Sequence, residues 1–203
     1  SHFGTTETIL ALAGVLVLIG GLFFFTKKYR LGYLLAGISL GIGIGTKISA
    51  LVFLPPLFLA HLLALNKKGF FKKNAWFFAS IALGVLTFFL ISPHSILDFS
   101  NFYESFKFQK DVATGKVPVF YTTQFQKTTP YLFQITKVLP WILGWPVLIF
   151  GILGVLSILY ESLKTTSREK FFLIFTPGFY FLYNGSLFVK WTRYMIPLNP
   201  FFC

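Results

Sequence analysis

Six apolar stretches divide this chain, and they constrain its fold more than any other feature. They cover residues 5–25, 31–45, 48–65, 75–92, 138–160 and 171–188, and a seventh apolar run begins at Tyr194. A helix that crosses a bilayer needs about 20 mostly apolar residues, and all but the second stretch reach the usual length. Backbone polar groups in hydrocarbon must bond within the chain, as they do in helices. The sequence therefore predicts an all-α, polytopic membrane protein with six transmembrane helices and the start of a seventh.

Short basic clusters follow the first, third and fifth stretches. They are Lys27, Lys28 and Arg30, then Lys67, Lys68, Lys72 and Lys73, and then Lys164, Arg168 and Lys170. Cytoplasmic loops carry an excess of Lys and Arg, so a single orientation with all three clusters in the cytoplasm accounts for every loop. The net charge of +12 is then mainly a signal for orientation and for contact with anionic lipid, and nucleic-acid binding is not expected.

The same orientation gathers Glu7 and the remaining basic residues on the non-cytoplasmic side of the membrane. They are Glu7, Lys47, the segment 93–137, Lys190 and Arg193. Thr46-Lys47 is expected at the tip of a helical hairpin, because a lysine at mid-bilayer costs about 2.5–3.5 kcal/mol. We therefore look for chemistry on this side.

The segment 93–137 is the longest polar excursion and is expected to be an external loop. Apolar residues recur in it at helical spacing, at Ile96, Phe99, Phe102, Tyr103 and Phe106. Polar residues lie opposite, so this part is predicted to be an amphipathic helix in the membrane interface. Residues 111–129 are expected to form an exposed loop.

Small and rigid residues indicate how the helices pack. Gly37, Gly41 and Gly45 are spaced so that a neighbouring helix can approach closely. Pro55-Pro56 is expected to kink the third helix. The single cysteine, Cys203, excludes a disulfide framework or a cysteine metal site within this sequence.

Four segments of the chain carry a family resemblance. In order, they are ISLGIGIGTKISALVFLPPLFLAHLL, SPHSILDFSNFYESFKFQ, FYTTQFQKTTPYLFQITKVLPWILGWP and KWTRYMIPLNPFF. Together they resemble the membrane glycosyltransferases of family 39, which use phospholipid-carried sugars and are related to protein O-mannosyltransferases and aminoarabinose transferases. The resemblance covers nearly all of the chain and identifies it as part of one transmembrane glycosyltransferase domain. Both ends are expected to be truncated, since the chain starts at Ser1 and stops inside an apolar run.

The resemblance implies a C-superfamily fold and a multi-pass protein of the plasma (inner) membrane. It also implies transfer of a sugar from a polyprenyl-phosphate donor to a glycan, lipid or protein acceptor on the non-cytoplasmic face. The family's best-known catalytic acid lies in the first external loop, which would precede Ser1. Glu7 matches a second acidic position, usually Asp, and His94 stands where relatives often carry an aromatic residue. The cofactor is unknown, with a divalent cation as one option.

The proposed reaction needs a carboxylate that orients or deprotonates an acceptor hydroxyl, and cations that stabilise the leaving phosphate. Glu7 fits the first task as a supporting catalytic acid, or it is simply a first-turn acid that suits the helix dipole. Lys47 and Arg193 fit the second task, or they are interfacial anchors. Lys190 and Tyr194 are added to the same phosphate-binding group.

The histidines are weaker candidates. His94 could reach an acceptor, but a loop or capping role is the favoured interpretation, and His61 is expected to be packed or snorkelling. No His, Asp or Glu cluster has metal-ligand spacing, so no protein metal site is predicted.

Two other functions remain open from the residues alone. Broken helices, glycines and a basic site also suit a transporter or flippase of lipid-linked saccharides. A polymerase or ligase of surface polysaccharide would use an external loop as well. An acidic pair in the upstream loop would discriminate, because a flippase does not require one.

Overall fold

A computed structural model describes residues 6–66 and 69–202, and the predicted all-α fold is confirmed there, with helices and no strand. The α-helices are α1 Thr6–Phe23, α2 Tyr29–Thr46, α3 Leu54–Ala64, α4 Phe70–Ile91, α5 His94–Leu97, α6 Phe99–Ala113, α7 Leu139–Leu143, α8 Trp145–Thr165, α9 Arg168–Ser186 and α10 Asn199–Phe202. Short 3₁₀ turns lie at Ile48–Phe53, Phe120–Phe125, Thr192–Tyr194 and Ile196–Leu198, and a π turn spans Gln134–Val138. Lys67, Lys68 and Cys203, named above, lie outside the described residues.

Within residues 6–66 and 69–202, three helices are long and apolar enough to cross a membrane: α1, α4 and α8. On α4 and α8, apolar side chains face outward, and Leu90 and Phe150 are each 73% exposed. Outward-facing apolar side chains suit lipid as the surrounding medium, so the fold is compatible with a membrane protein. The full set of six spans and a seventh beginning stays a prediction. The chain from Tyr194 to Phe202 forms short turns and the four-residue α10.

The core is built where α2 packs between α1 and α4, and glycines set the spacing. A Cβ added to Gly20 on α1 would lie 2.9 Å from the carbonyl oxygen of Gly32 on α2. On the other face of α2, a Cβ on Gly41 would lie 2.7 Å from Thr87 Cβ and closer still to the Gly84 carbonyl oxygen of α4. The predicted close helix packing at the α2 glycines is therefore confirmed, and it brings backbone into contact with backbone.

The predicted break between the second and third apolar stretches is present: Lys47 is extended there, with φ −154° and ψ 118°, and follows the end of α2. The stretch 48–65 is divided, because the 3₁₀ turn Ile48–Phe53 precedes α3. The prolines that were expected to kink the third helix instead lie in the first turn of α3, where proline sacrifices no helical hydrogen bond. The stretch 138–160 is also divided, because Gly144, with φ +74°, separates α7 from α8.

The segment 93–137, which we call the outer segment after its expected side of the membrane, is more ordered than an exposed loop. α6 forms where the amphipathic helix was predicted, although its place in a membrane interface stays a prediction. The expectation of an exposed loop over 111–129 is wrong in part, because Val112, Thr122 and Phe125 are buried. Val112 and Phe125 pack with Val189 and Trp191, and the amide of Phe188 donates to the Ala113 carbonyl oxygen at 3.0 Å. The apolar residues of the loop thus form a small second core over the chain that follows α9.

The bundle has two polar ends. At one, which we call the Glu7 end, the start of α1 meets the end of α2 and the turn Thr192–Tyr194. At the other, the Lys73 end, the Lys73 ammonium reaches Phe24 just beyond α1, and the Arg168 guanidinium donates to the Leu63 carbonyl oxygen. The described members of the three basic clusters lie in the segments that meet at the Lys73 end. Which side of a membrane this end faces stays a prediction.

Candidate functional site

The Glu7 end brings together residues that are far apart in sequence. Glu7 occupies the first turn of α1, and its side chain is buried. Lys47 caps the C-terminus of α2, where its backbone amide donates to the Gly43 carbonyl oxygen at 2.8 Å. A cation at this position also suits the negative end of the helix dipole. The 3₁₀ turn Thr192–Tyr194 supplies Arg193 and Tyr194 from the far end of the chain.

An ion pair joins the first two residues. Lys47 Nζ lies 2.8 Å from Glu7 Oε1, and Arg193 Nε lies 3.9 Å from the same oxygen. The other carboxylate oxygen, Oε2, accepts a hydrogen bond of 3.2 Å from the Thr6 hydroxyl. The Glu7 side chain is only 6% exposed, whereas that of Arg193 is 60% exposed. The carboxylate is therefore the buried member of this cluster, and the guanidinium is its exposed member.

Aromatic groups complete the site. The Lys47 ammonium lies 5.0 Å from the centre of the Tyr194 ring, and the Arg193 guanidinium lies 5.6 Å from it. Such cation–π contacts stabilise positive charge beside a ring by about 0.5–1 kcal/mol or more. The buried Tyr180 hydroxyl donates to the Tyr194 carbonyl oxygen at 2.9 Å and so fixes the turn to α9. Two cations and one carboxylate leave one positive charge in excess, which favours an anionic ligand.

The geometry assigns Glu7 a supporting task. Both carboxylate oxygens already accept hydrogen bonds, from Lys47 and from Thr6. These hydrogen bonds and the neighbouring ammonium stabilise the ionised carboxylate, which makes it a weaker base toward an incoming hydroxyl. Glu7 instead holds the two cations in place beside each other. A divalent cation does not fit beside this carboxylate, because it would be repelled by the ammonium and the guanidinium. Within the described ranges, no group of three potential metal-ligating side chains comes together.

Two of the predicted site residues lie elsewhere. Lys190 was grouped with Lys47 and Arg193, but its ammonium donates instead to the Phe188 carbonyl oxygen at 2.9 Å. Burial lowers the pKa of the Lys190 ammonium. His94 is exposed at the start of α5; its ring nitrogens lie 3.4 Å from the Ser92 hydroxyl, and it packs on Phe102. None of the hydrogen bonds among the described residues joins either side chain to Glu7.

Sequence reasoning missed a buried polar network near the Lys73 end. The Tyr33 hydroxyl lies 2.6 Å from His61 Nδ1, and His61 Nε2 lies 3.0 Å from Asn74 Oδ1. His61 is therefore packed, one of the two expectations for it, and its ring stacks on Phe77 with centroids 4.2 Å apart. The one available signal was the presence of polar side chains within apolar stretches.

Comparison with known proteins identifies no relative. No family model matches the chain, and no curated protein and no solved structure matches it either. The resemblance described above rests on the quoted segments alone.

Proposed function

We propose that this protein is an integral membrane glycosyltransferase that moves a sugar from a polyprenyl-phosphate carrier to an acceptor on the non-cytoplasmic face. One observation carries the proposal: Glu7, Lys47, Arg193 and Tyr194 meet at one end of the apolar helices. The excess positive charge there suits a phosphate group. The apolar outer faces of the helices suit the long hydrocarbon tail of the carrier.

In the proposed reaction, the oxygen of the acceptor hydroxyl attacks the anomeric carbon of the sugar. The bond between that carbon and the phosphate oxygen breaks, and its electron pair leaves with the polyprenyl phosphate. Arg193 and Lys47 stabilise the charge that develops on the phosphate. Glu7 keeps both cations in position, and the hydroxyl proton passes to a base outside this cluster.

The proposal is tested with the full-length protein in liposomes, a panel of polyprenyl-phosphate sugars and a measurement of transferred sugar. Replacing Lys47 or Arg193 by Gln is expected to lower the transfer rate about 100-fold, the usual effect of losing one group that stabilises a developing anion. Glu7→Gln is expected to lower it less, because the cations remain but lose their anchor.

The matched control is Lys107→Gln, which removes an exposed lysine from α6 and should leave transfer unchanged. Thermal stability is measured for each variant, so that loss of folding is separated from loss of chemistry. Absence of transfer from every donor, or full activity in folded Lys47 and Arg193 variants, would contradict the proposal.

A transporter or flippase of lipid-linked saccharides is the second candidate, and the interrupted helices favour it. Discontinuous helices line the substrate paths of many transporters. In this protein α2 ends at Lys47, which forms the ion pair with Glu7, and a 3₁₀ turn follows it. The same liposomes discriminate between the two functions. Movement of a fluorescent lipid-linked sugar across the bilayer without acceptor would indicate transport, and covalent transfer would indicate an enzyme.

A further inference from the structure

A cleft lies next to the turn Thr192–Tyr194, and its lining does not include Glu7, Lys47 or Arg193. We call it the outer cleft; its volume is about 270 Å³, and its lining includes Phe125, Phe133, Lys137, Trp141, Lys190 and Trp191. The π turn supplies Lys137, and the chain between α9 and the turn Thr192–Tyr194 supplies Lys190 and Trp191. Ligand pockets commonly begin at about 300 Å³, so this cleft suits a headgroup rather than a whole lipid.

Lys190 is the least expected feature of this cleft. Its side chain lies within the protein, and the residue is only 5% exposed. The ammonium has three hydrogens to donate, and the structure gives it one acceptor, the Phe188 carbonyl oxygen. No carboxylate among the described residues lies within 4.0 Å of it. Because a buried charge without a counter-charge is costly, the cleft is suited to receive an anion.

A second amine and a wall of rings narrow the class of ligand. Lys137 also lines the cleft and has no ion pair among the described residues. Two lysines without carboxylate partners match the charge of a phosphate monoester, and lysine binds phosphate as a point charge. Trp191 is held in place by Phe125, whose ring lies perpendicular to it at 5.0 Å between centroids. Trp141 is 86% exposed at the mouth of the cleft and presents an apolar surface there.

We infer that the outer cleft binds a phosphate monoester between Lys137 and Lys190, with the less polar part of the ligand against Trp141 and Trp191. The phosphate could belong to a membrane lipid or to a small soluble molecule, and both present the same chemistry to the two amines. The inference does not rest on sugar transfer. If transfer occurs, the cleft adds a phosphate site one residue along the chain from Thr192–Tyr194, and so beside Arg193.

The test uses the full chain in detergent with Trp76→Phe and Trp145→Phe, so that the two remaining tryptophans are those that line the cleft. Tryptophan fluorescence is recorded during titration with dihexanoyl phosphatidic acid, inorganic phosphate and dihexanoylglycerol. We expect saturable binding of phosphatidic acid and none of dihexanoylglycerol. Lys190→Met and Lys137→Met should each weaken binding about tenfold or more, the usual loss for a hydrogen bond to a charged group.

Two control variants keep the result interpretable. Lys190→Arg retains the charge and should retain most of the binding, whereas Lys107→Met removes an exposed charge from α6 and should change nothing. Lys137 is exposed, so its replacement does not disturb packing even if the Lys190 variant fails to fold.

The outcomes separate the two sources of phosphate. Binding of phosphatidic acid alone supports a lipid ligand, and equal binding of inorganic phosphate supports a small soluble one. No binding of either probe, or binding that survives both lysine replacements, overturns the inference. Phosphate binding in a protein that transfers no sugar would refute the proposed enzyme activity and support the phosphate site. Sugar transfer without phosphate binding in the cleft would support the enzyme activity and refute the phosphate site.

Discussion

At the scale of single residues, three lysines withdrawn from solvent show three ways of accommodating an ammonium. The Lys47 ammonium pairs with the Glu7 carboxylate, and the Lys190 ammonium donates to one carbonyl oxygen, that of Phe188. Lys73 donates to two carbonyl oxygens, 2.6 Å to that of Ala64 and 3.1 Å to that of Phe24. Carbonyl groups at the C-terminal ends of helices lack partners within the helix, so Lys73 ties α4 to the ends of α1 and α3.

Replacing Lys73 should therefore destabilise the helix bundle. Lys73→Met is expected to lower the free energy of unfolding by about 1–3 kcal/mol, because it leaves two buried carbonyl oxygens without a donor. Lys72→Met is the matched control: its side chain is exposed one position earlier on α4 and should change stability by less than about 0.5 kcal/mol. Thermal unfolding in detergent measures both. Equal melting temperatures for the two variants would show that the Lys73 contacts do not stabilise the fold.

The sequence predicted that Glu7, Lys47 and Arg193 lie at one end of the bundle, because the basic clusters indicate which helix ends lie on the same side. The sequence could not predict that Lys190 and Arg193 have different contacts. They lie three positions apart in an irregular segment, where spacing does not determine the direction of a side chain. Tyr180 escaped notice for a related reason. A tyrosine in an apolar stretch gives no sign, without the structure, that its hydroxyl bonds to the Tyr194 carbonyl oxygen.

At the scale of elements, the close approach of α2 and α4 leaves no room for a methyl group at Gly41. Gly41→Ala should force the two helices apart and destabilise the protein by about 1–3 kcal/mol, as overpacking usually does. Gly178→Ala on α9 is the control, because an added Cβ there would meet nothing within 4 Å. Unfolding by added denaturing detergent compares the two. A Gly41→Ala variant as stable as the control would mean that backbone proximity does not limit this interface.

Helix positions followed from apolar length and basic clusters, and the break at Lys47 followed from a charged residue between two apolar runs, but the break at Gly144 was not predicted. The break at Gly144 depends on one residue with positive φ inside an otherwise apolar stretch, and hydropathy does not register backbone conformation. The small core around Phe125 was missed because its apolar residues lie scattered within a polar segment and have no regular spacing.

At the scale of the whole molecule, the two polar ends predict opposite exposure in a membrane. On a Cys203→Ser background, Lys116→Cys in the outer segment should react with an impermeant thiol reagent added to intact cells. Lys28→Cys, between α1 and α2, should react only after the membrane is opened, since basic clusters stay in the cytoplasm. Both lysines are exposed, so accessibility within the protein is matched. Labelling of both positions from the same side would refute the orientation.

The ion pair of Glu7 and Lys47 also has a consequence for how the protein is made. The two residues are 40 positions apart and bridge neighbouring helices. Both therefore leave the ribosome well before Arg193. The membrane insertion machinery would receive α1 and α2 as a hairpin in which Glu7 and Lys47 already neutralise each other. This neutralisation lowers the free-energy cost of placing a lysine beside lipid. The turn Thr192–Tyr194 is made later and would then dock onto an ion pair that has already formed, so that the site is completed only after the hairpin.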